Sequence, residues 1–276
     1  MKKTQKIFTK FTKKSEDITE IKKDFFLNND KLLKKNLTVI NFLKKQKKRY
    51  FCKNCGNKLN NKIDYISHSM GYKICLKCSH LNSCNNDSSK FHKTIYNDNK
   101  FSYSSNYINS YTKRVKKIYT PKANFINDFA KKYSLKNINL LDIGTGCGHF
   151  VYACRKRKIN AFGIDSNLQM IKVGKRLIKN NYLRHVNSLD ETLKLIKYGN
   201  YTFVSLVAVL EHLEKPNDIF KNFYLSKNKY LFISIPLFSL SVYIDIIFQN
   251  VYPRHTAASH PHIYTYESIK YILKKK

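Results

Sequence analysis

Leu140-Leu141-Asp142-Ile143-Gly144-Thr145-Gly146-Cys147-Gly148-His149-Phe150 is an apolar run that ends in three alternating glycines. The pattern reads as a buried strand turning sharply into a helix, because glycine supplies positive φ and lets backbone come close to a ligand. The helix that follows offers free N–H groups and the positive end of its dipole, so a polar or anionic small molecule belongs at the turn. A dinucleotide fingerprint places glycines at the first, third and sixth positions. The sixth position here is His149, which fits nicotinamide cofactors poorly.

Beyond this turn the chain alternates between helix-like and strand-like segments. Apolar periodicity predicts a helix over 149–157, a strand over 159–164, a helix over 167–180, a short strand over 183–186 and a helix over 190–198. A strand over 201–209, a helix opened by Pro216 and a strand over 230–235 continue the series. The alternation means an α/β fold, a Rossmann-like parallel sheet with helices on both faces, and such sheets take ligands outside the carboxyl ends of their strands. Asp165 ends the second strand, twenty-one residues beyond Gly144. An acid there can accept from both ribose hydroxyls of a nucleoside, and the same position suits a cap on the next helix. Before the turn, Thr120-Pro121 reads as N-cap and first helical residue, with Phe125, Ile126, Phe129, Ala130 and Tyr133 on one apolar face. Residues 231–244 form a long apolar run, but Pro236 and Asp245 leave it short of the roughly 20 residues of a membrane helix. A buried fifth strand followed by a covering helix accounts for it.

The 276 residues, 42% hydrophobic, allow one ordinary domain plus a small appendage. A formal charge of +34 would point to nucleic acid or a membrane surface if it were clustered. Only 7 of the 52 basic residues are Arg, however, and Lys recurs along the whole chain while Asn, Ile, Tyr and Phe abound and Gly, Ala and Pro are scarce. An AT-rich coding sequence produces that bias, so the charge reads as solvated surface. No continuous apolar segment follows Met1-Lys2-Lys3, which argues against a secretory signal. Residues 1–50 are basic, and Phe25, Phe26, Leu32, Leu33, Val39, Ile40, Phe42 and Leu43 predict two short amphipathic helices.

Residues 51–84 carry Cys52-x-x-Cys55-Gly56 and Cys75-x-x-Cys78, with nineteen residues between the pairs. Two such knuckles bring four thiolates together, a tetrahedral Zn²⁺ set of the zinc-ribbon kind with no position left for water, so the zinc would be structural. Cys84 and His80 are spare donors. Seven cysteines in this spacing fit a reducing cytoplasm better than a disulfide scaffold. Residues 85–119 are Asn-, Ser- and Tyr-rich without a sustained period and read as a linker, with 107–114 a candidate lid. Residues 120–276 then form the main domain.

Leu140 to Phe150, Gly163-Ile164-Asp165 and Val207-Ala208-Val209-Leu210-Glu211-His212-Leu213-Glu214-Lys215-Pro216, taken in order, resemble the class I S-adenosylmethionine-dependent methyltransferases over residues 107–270. The resemblance implies S-adenosylmethionine as cofactor, with Asp142, Gly144, Thr145, Gly146, Gly148 and Phe150 around its methionine part. It implies that Asp165 holds the ribose, that Ser166 edges the adenosine pocket, and that Ser188 or Leu189 lies near the adenine. The segment Tyr252-Pro253-Arg254-His255 with Ser259-His260-Pro261-His262-Ile263-Tyr264-Thr265 further resembles methyltransferases of surface-polysaccharide and sugar-nucleotide pathways. The four-cysteine module is similar to that of sugar C-methyltransferases. Together these imply a sugar or sugar nucleotide as acceptor. The family also closes its sheet with an antiparallel strand pair after the fifth helix. Here the chain reaches Lys274-Lys275-Lys276 as that helix starts near Glu267, so a C-terminal truncation is expected.

A sulfonium methyl is already activated, so the enzyme must align a nucleophile with it and, where needed, take up a proton. His212, His255 and His260 are the candidate bases, since an unperturbed imidazole titrates near neutral pH, and Glu211 could orient His212. Two other readings stand beside this one. An RNA base methyltransferase would grip phosphates with its charge and zinc module, and its affinity would fall steeply with salt. A zinc-ribbon binding protein with an inactive cofactor fold would have lost Asp142, Asp165 or the glycines, all of which are present.

Overall fold

The computed structural model describes residues 6–10, 21, 27–97 and 110–274. Helix α1 (Asn29–Lys44) opens this part of the chain. It carries the Leu32 to Leu43 part of the expected helical segment, and its Asn36, Val39, Ile40 and Leu43, spaced three, four and seven apart, bury a single continuous stripe. Phe25 and Phe26 lie outside the described residues. Strands β1 (Tyr65–Ser67), β2 (Met70–Ile74) and β3 (Leu81–Ser83) follow as an antiparallel meander. His68 and Ser69 take positive φ of 50° and 67° in the two-residue turn between β1 and β2, the conformation that matches the twist of a hairpin.

Within the stretch expected to be a linker, helix α2 (Ser89–Asn97) forms, and α3 (Tyr111–Arg114) begins a second helical run. That run continues through a π-turn (Val115–Tyr119) into α4 (Thr120–Lys132), so Thr120 is helical and is not the expected N-cap. Pro121 has no N–H to donate back along the helix, and the ladder widens just before it, with Thr120 N donating to the Val115 carbonyl. Residues 107–109 of the candidate lid lie outside the described residues, and Tyr111 is buried.

The alternating part then runs β4 (Asn139–Ile143), α5 (His149–Arg155), β5 (Asn160–Asp165), α6 (Leu168–Ile178), β6 (Leu183–His185), α7 (Leu189–Tyr198), β7 (Phe203–Val207), a 3₁₀ turn (Leu210–His212), α8 (Pro216–Tyr224) and β8 (Tyr230–Ser234). Helix α9 (Leu240–Ile247), strand β9 (His262–Ile263) and helix α10 (Tyr266–Lys274) complete the described chain.

These elements make two compact units. The first contains Tyr103–Val209 and Lys221–Ser234 together with Met1–Lys23. Its five strands are all parallel in the order β6-β5-β4-β7-β8, the Rossmann-like sheet the alternation predicts. The chain winds outward from β4 to β6 and then returns to lay β7 on the other side of β4, so the strand order reverses at β4 and β7. Leu140, Ile126, Phe150, Val151, Ile159 and Ala161 are among the residues of its core.

The second unit contains Asp24–Ser102, Leu210–Phe220 and Ile235–Lys276. Its antiparallel sheet has the order β1-β2-β3-β9, so the C-terminal segment supplies the fourth strand of the cysteine module, pairing Ile263 with Leu81 and His262 with Asn82. Val39, Ile40 and Leu43 of α1 pack there with Tyr72, Leu81, Phe91, Val242 and Ile263. Burial of each aliphatic side chain in such a cluster stabilises by about 1.5–3 kcal/mol.

Candidate active site and metal centre

In the first unit, the turn after β4 is held in place by its own backbone. Gly144, Gly146 and Gly148 all have positive φ, at 67°, 56° and 73°. Thr145 N donates to the Ile164 carbonyl at 3.0 Å, and Gly148 N donates to the Thr145 carbonyl at 2.9 Å. A Cβ on Gly144 would stand 2.6 Å from Val209 Cγ2, and one on Gly148 would stand 2.7 Å from Ile178 Cδ1, so a side chain at either would have to push a neighbour aside as well as adopt a conformation that suits glycine.

Asp165, at the end of β5, closes on the same turn. Its Oδ2 accepts from Gly146 N and its Oδ1 from Asn167 N, each at 2.8 Å. Burial pushes its carboxyl up from the ordinary carboxylate range, with the two backbone N–H groups opposing. A carboxylate offers about four lone-pair sites, which leaves room for ribose hydroxyls beside these two bonds. Asp142 lies beneath the turn, 2% exposed, where Ser205 Oγ donates to it at 2.7 Å. Burial dominates there and pushes its carboxyl up to about 7.

The other expected cofactor residues fall in different places. Thr145 is buried beside Gly163, on which a Cβ would stand 2.5 Å from the Thr145 hydroxyl oxygen. Phe150 points into the core, stacked on Phe232 at 5.6 Å. The Ser166 carbonyl pairs with His185 Nε2 at 3.1 Å. Ser188 caps α7, its Oγ accepting from Glu191 N at 3.1 Å, and Leu189 is the first, partly exposed residue of that helix. His149 is sandwiched between the rings of Tyr111 and Tyr119, at 4.3 and 5.1 Å.

In the second unit the four cysteines converge. Their sulfurs all lie within 4.8 Å of one another, with Cys52 and Cys78 at 3.7 Å and Cys55 and Cys75 at 3.4 Å. Four thiolates about 2.3 Å from a tetrahedral zinc ion stand about 3.8 Å apart, so the donor set fits zinc. Each knuckle closes through a backbone bond, Gly56 N to the Cys52 carbonyl and Ser79 N to the Cys75 carbonyl, both 2.8 Å, with Gly56 and Ser79 at positive φ. Burial pushes the Cys55 thiol up to about 11, so without a cation this packing disfavours thiolates. Of the spare donors, His80 turns to His262 and Ser268, at 2.9 and 3.3 Å, and Cys84 stands outside the cluster.

The same unit brings three of the four proposed catalytic side chains together. Ligand atoms of Glu211, His212 and His260 lie within 4.8 Å of one another. His255 contributes its carbonyl instead, which accepts from His260 Nδ1 at 3.0 Å. Burial, then the neighbouring His260, hold the His212 imidazole well below its ordinary pKa, so its neutral form is favoured.

Several supporting residues carry no motif. Asn54 and Asn82 donate to Cys78 Sγ at 3.5 Å and Cys52 Sγ at 3.6 Å. Asp87 is buried against Arg49, Lys53 and His92. Its burial would raise the carboxyl, but the His92 hydrogen bond and the Lys53 and Arg49 charges outweigh that and hold it well below the usual range. Asp245 accepts from His255 N at 2.7 Å and Thr256 N at 3.0 Å, which pins the loop carrying His260. Asp245 alone shows a signal in the sequence, a charged residue inside an apolar stretch, whereas Asn54, Asn82 and Asp87 lie in polar surroundings that do not mark them out.

Among solved structures, the chain is similar to the plantazolicin methyltransferase BamL in complex with a triazolic desmethylPZN analog and SAH, with 19% identity, a TM-score of 0.51, and 67% of this chain covered against 71% of that one. It is also similar to the plantazolicin methyltransferase BpumL in complex with SAH, at 13% identity and a TM-score of 0.50, covering 66% of this chain and 71% of that one. A SAM dependent methyltransferase from Archaeoglobus fulgidus aligns at 25% identity and a TM-score of 0.39 over 55% of this chain and 67% of that one. The first two likenesses establish the fold. No curated protein matches the chain significantly. Among the described residues no helix is long and apolar enough to cross a membrane. The family model for the methyltransferase domain matches residues 113–276, well over half of the chain, and the chain therefore belongs to that methyltransferase family.

Proposed function

We propose that this methyltransferase transfers the sulfonium methyl of S-adenosylmethionine to a sugar or sugar-nucleotide acceptor. The observation that carries the cofactor assignment is the bond from Gly146 N–H to Asp165 Oδ2, which joins the glycine turn and the acid at neighbouring strand ends. That arrangement suits a ligand with a polar amino-acid end and a ribose. Asp142, Gly144, Gly146 and Gly148 shape the first part and Asp165 takes the second, with Ser166, Ser188 and Leu189 toward the base. The SAH named with the plantazolicin enzymes supports the same cofactor. Glu211, His212 and His260 are the residues that activate the acceptor, the first two on the turn that follows β7 in the chain and His260 on the loop before β9. The four cysteines hold a structural zinc ion and with it the knuckles of the second unit. The sugar acceptor is supported by the likeness of residues 252–265 and of the cysteine module to sugar-modifying methyltransferases.

Calorimetry with S-adenosylmethionine on the full chain tests the cofactor, and Asp165→Ala should weaken binding about 100-fold, the loss of roughly two charge-assisted hydrogen bonds. No heat with the wild-type chain would sink the reading and favour an inactive fold. For the acceptor, label transfer from methyl-labelled cofactor to a panel of sugar nucleotides is expected, with little dependence on salt. Label in RNA instead, with affinity falling about one log unit per log unit of salt for each phosphate neutralised, would transfer the assignment to an RNA acceptor.

A further inference from the structure

Glu211 and His212 lie on the 3₁₀ turn after β7, and His260 lies on the loop before β9. Fold and sequence spacing give no reason for them to meet, yet a carboxylate oxygen and two ring nitrogens come within 4.8 Å of one another, with the two rings 4.7 Å apart. Both rings are committed on the same side. His212 Nδ1 is 2.8 Å from the Ser259 carbonyl, and His260 Nδ1 is 3.0 Å from the His255 carbonyl. A carbonyl only accepts, so each Nδ1 carries the proton and each Nε2 is left with a lone pair. That is how a metal-ligating histidine is usually prepared, its second nitrogen fixed by a carbonyl behind it. The loop that sets these carbonyls is itself tied down, through the bonds from His255 N and Thr256 N to Asp245. The third group, Glu211, is only 2% exposed, and a cation held against its side chain would favour the carboxylate form there.

We propose that Glu211, His212 and His260 bind a divalent transition-metal ion, a second metal site distinct from the four cysteines. Two imidazole nitrogens in three ligands favour zinc, iron, cobalt or nickel over magnesium, calcium and manganese, which suit oxygen sets. The cysteine cluster closes its ion with four protein ligands. Among the described residues this site offers three ligands, the number that protein side chains supply to a catalytic metal. Resting on the acceptor role given to these residues above, the ion would take an acceptor oxygen and lower its pKa.

The test uses the full chain, stripped with a mild chelator and titrated with Co²⁺. Wild type should bind an ion whose visible spectrum shows d–d bands without thiolate-to-metal charge transfer, in addition to the ion held by the cysteines. Glu211→Gln and His260→Ala should each weaken that ion at least about 100-fold while retaining the cysteine-bound one, which also reports that the second unit is folded. A wild-type chain that binds only thiolate-ligated cobalt overturns the site without any variant being needed, and so does unchanged affinity in both variants. Calorimetry with S-adenosylmethionine on the same samples separates the two proposals. Cofactor binding without the second ion refutes the metal site alone, and absence of cofactor binding refutes the proposed function.

Discussion

Replacing Gly144 by Ala perturbs the turn in two ways that can be separated. At φ of 67° an alanine sits in the left-handed region, at a cost of about 1–2 kcal/mol. Its Cβ would also stand 2.6 Å from Val209 Cγ2, and relieving such an overlap in packed surroundings costs about 1–3 kcal/mol more. Gly144→Ala should therefore destabilise by about 2–5 kcal/mol. Val209→Ala alone removes two buried methyl groups, about 0.8 kcal/mol each plus a cavity contribution, or about 2 kcal/mol in all. In the double variant the overlap disappears and only the backbone cost and the lost burial remain. The two changes should then sum to about 1–3 kcal/mol more than the double variant loses. Urea unfolding of the four proteins, followed by far-ultraviolet circular dichroism, measures this directly. Additivity within about 0.5 kcal/mol would refute the claim that Val209, just after β7, seats the glycine turn.

Further outcomes are expected elsewhere. Asp142, with a folded pKa of about 7, holds a proton that the unfolded chain releases near 4, so stability should be highest at the acid end of that window and fall as pH rises through it, by about 2–4 kcal/mol in all. Asp142→Asn should abolish that slope between about pH 4 and 7, and parallel unfolding profiles for the two proteins would contradict the assignment. Asp87→Asn should cost about 3–5 kcal/mol by leaving Arg49 and Lys53 buried without their counter-charge, as measured by the urea midpoint. Cys75→Ser, or exhaustive chelation, should release the zinc proposed for the four cysteines and unfold β1, β2 and β3 while the parallel sheet persists. Metal analysis and amide exchange resolve the two, and full protection of Tyr72 without zinc would count against a structural role for the ion.

The parallel sheet was legible because each of its strands and helices carries its own period, and because Gly144, Gly146, Gly148 and Asp165 sit at spacings that short-range backbone geometry requires. The four cysteines were legible for the same reason. Each pair closes one tight turn, and its spacing is a local property. Where local signals competed, reading along the chain went astray. Thr120-Pro121 has the residues of a helix start, yet the helix runs through it from Tyr111 because a widened turn absorbs the missing N–H of Pro121. Phe150 follows the glycines as a pocket residue would, but the packing of Phe232 against it gives it to the core.

The sequence by itself determined the fold class, the glycine turn with its acid, and the four-thiol donor set, all of them consequences of residue type at short separation. Tertiary structure alone decided which distant segments share a surface. It placed His262 and Ile263 as a strand beside Asn82 and Leu81, buried Asp87 among Arg49, Lys53 and His92, and brought Glu211 and His212 to His260. The physical reason is that such meetings follow from burying apolar surface, which is non-directional and roughly proportional to area, so no spacing along the chain records them.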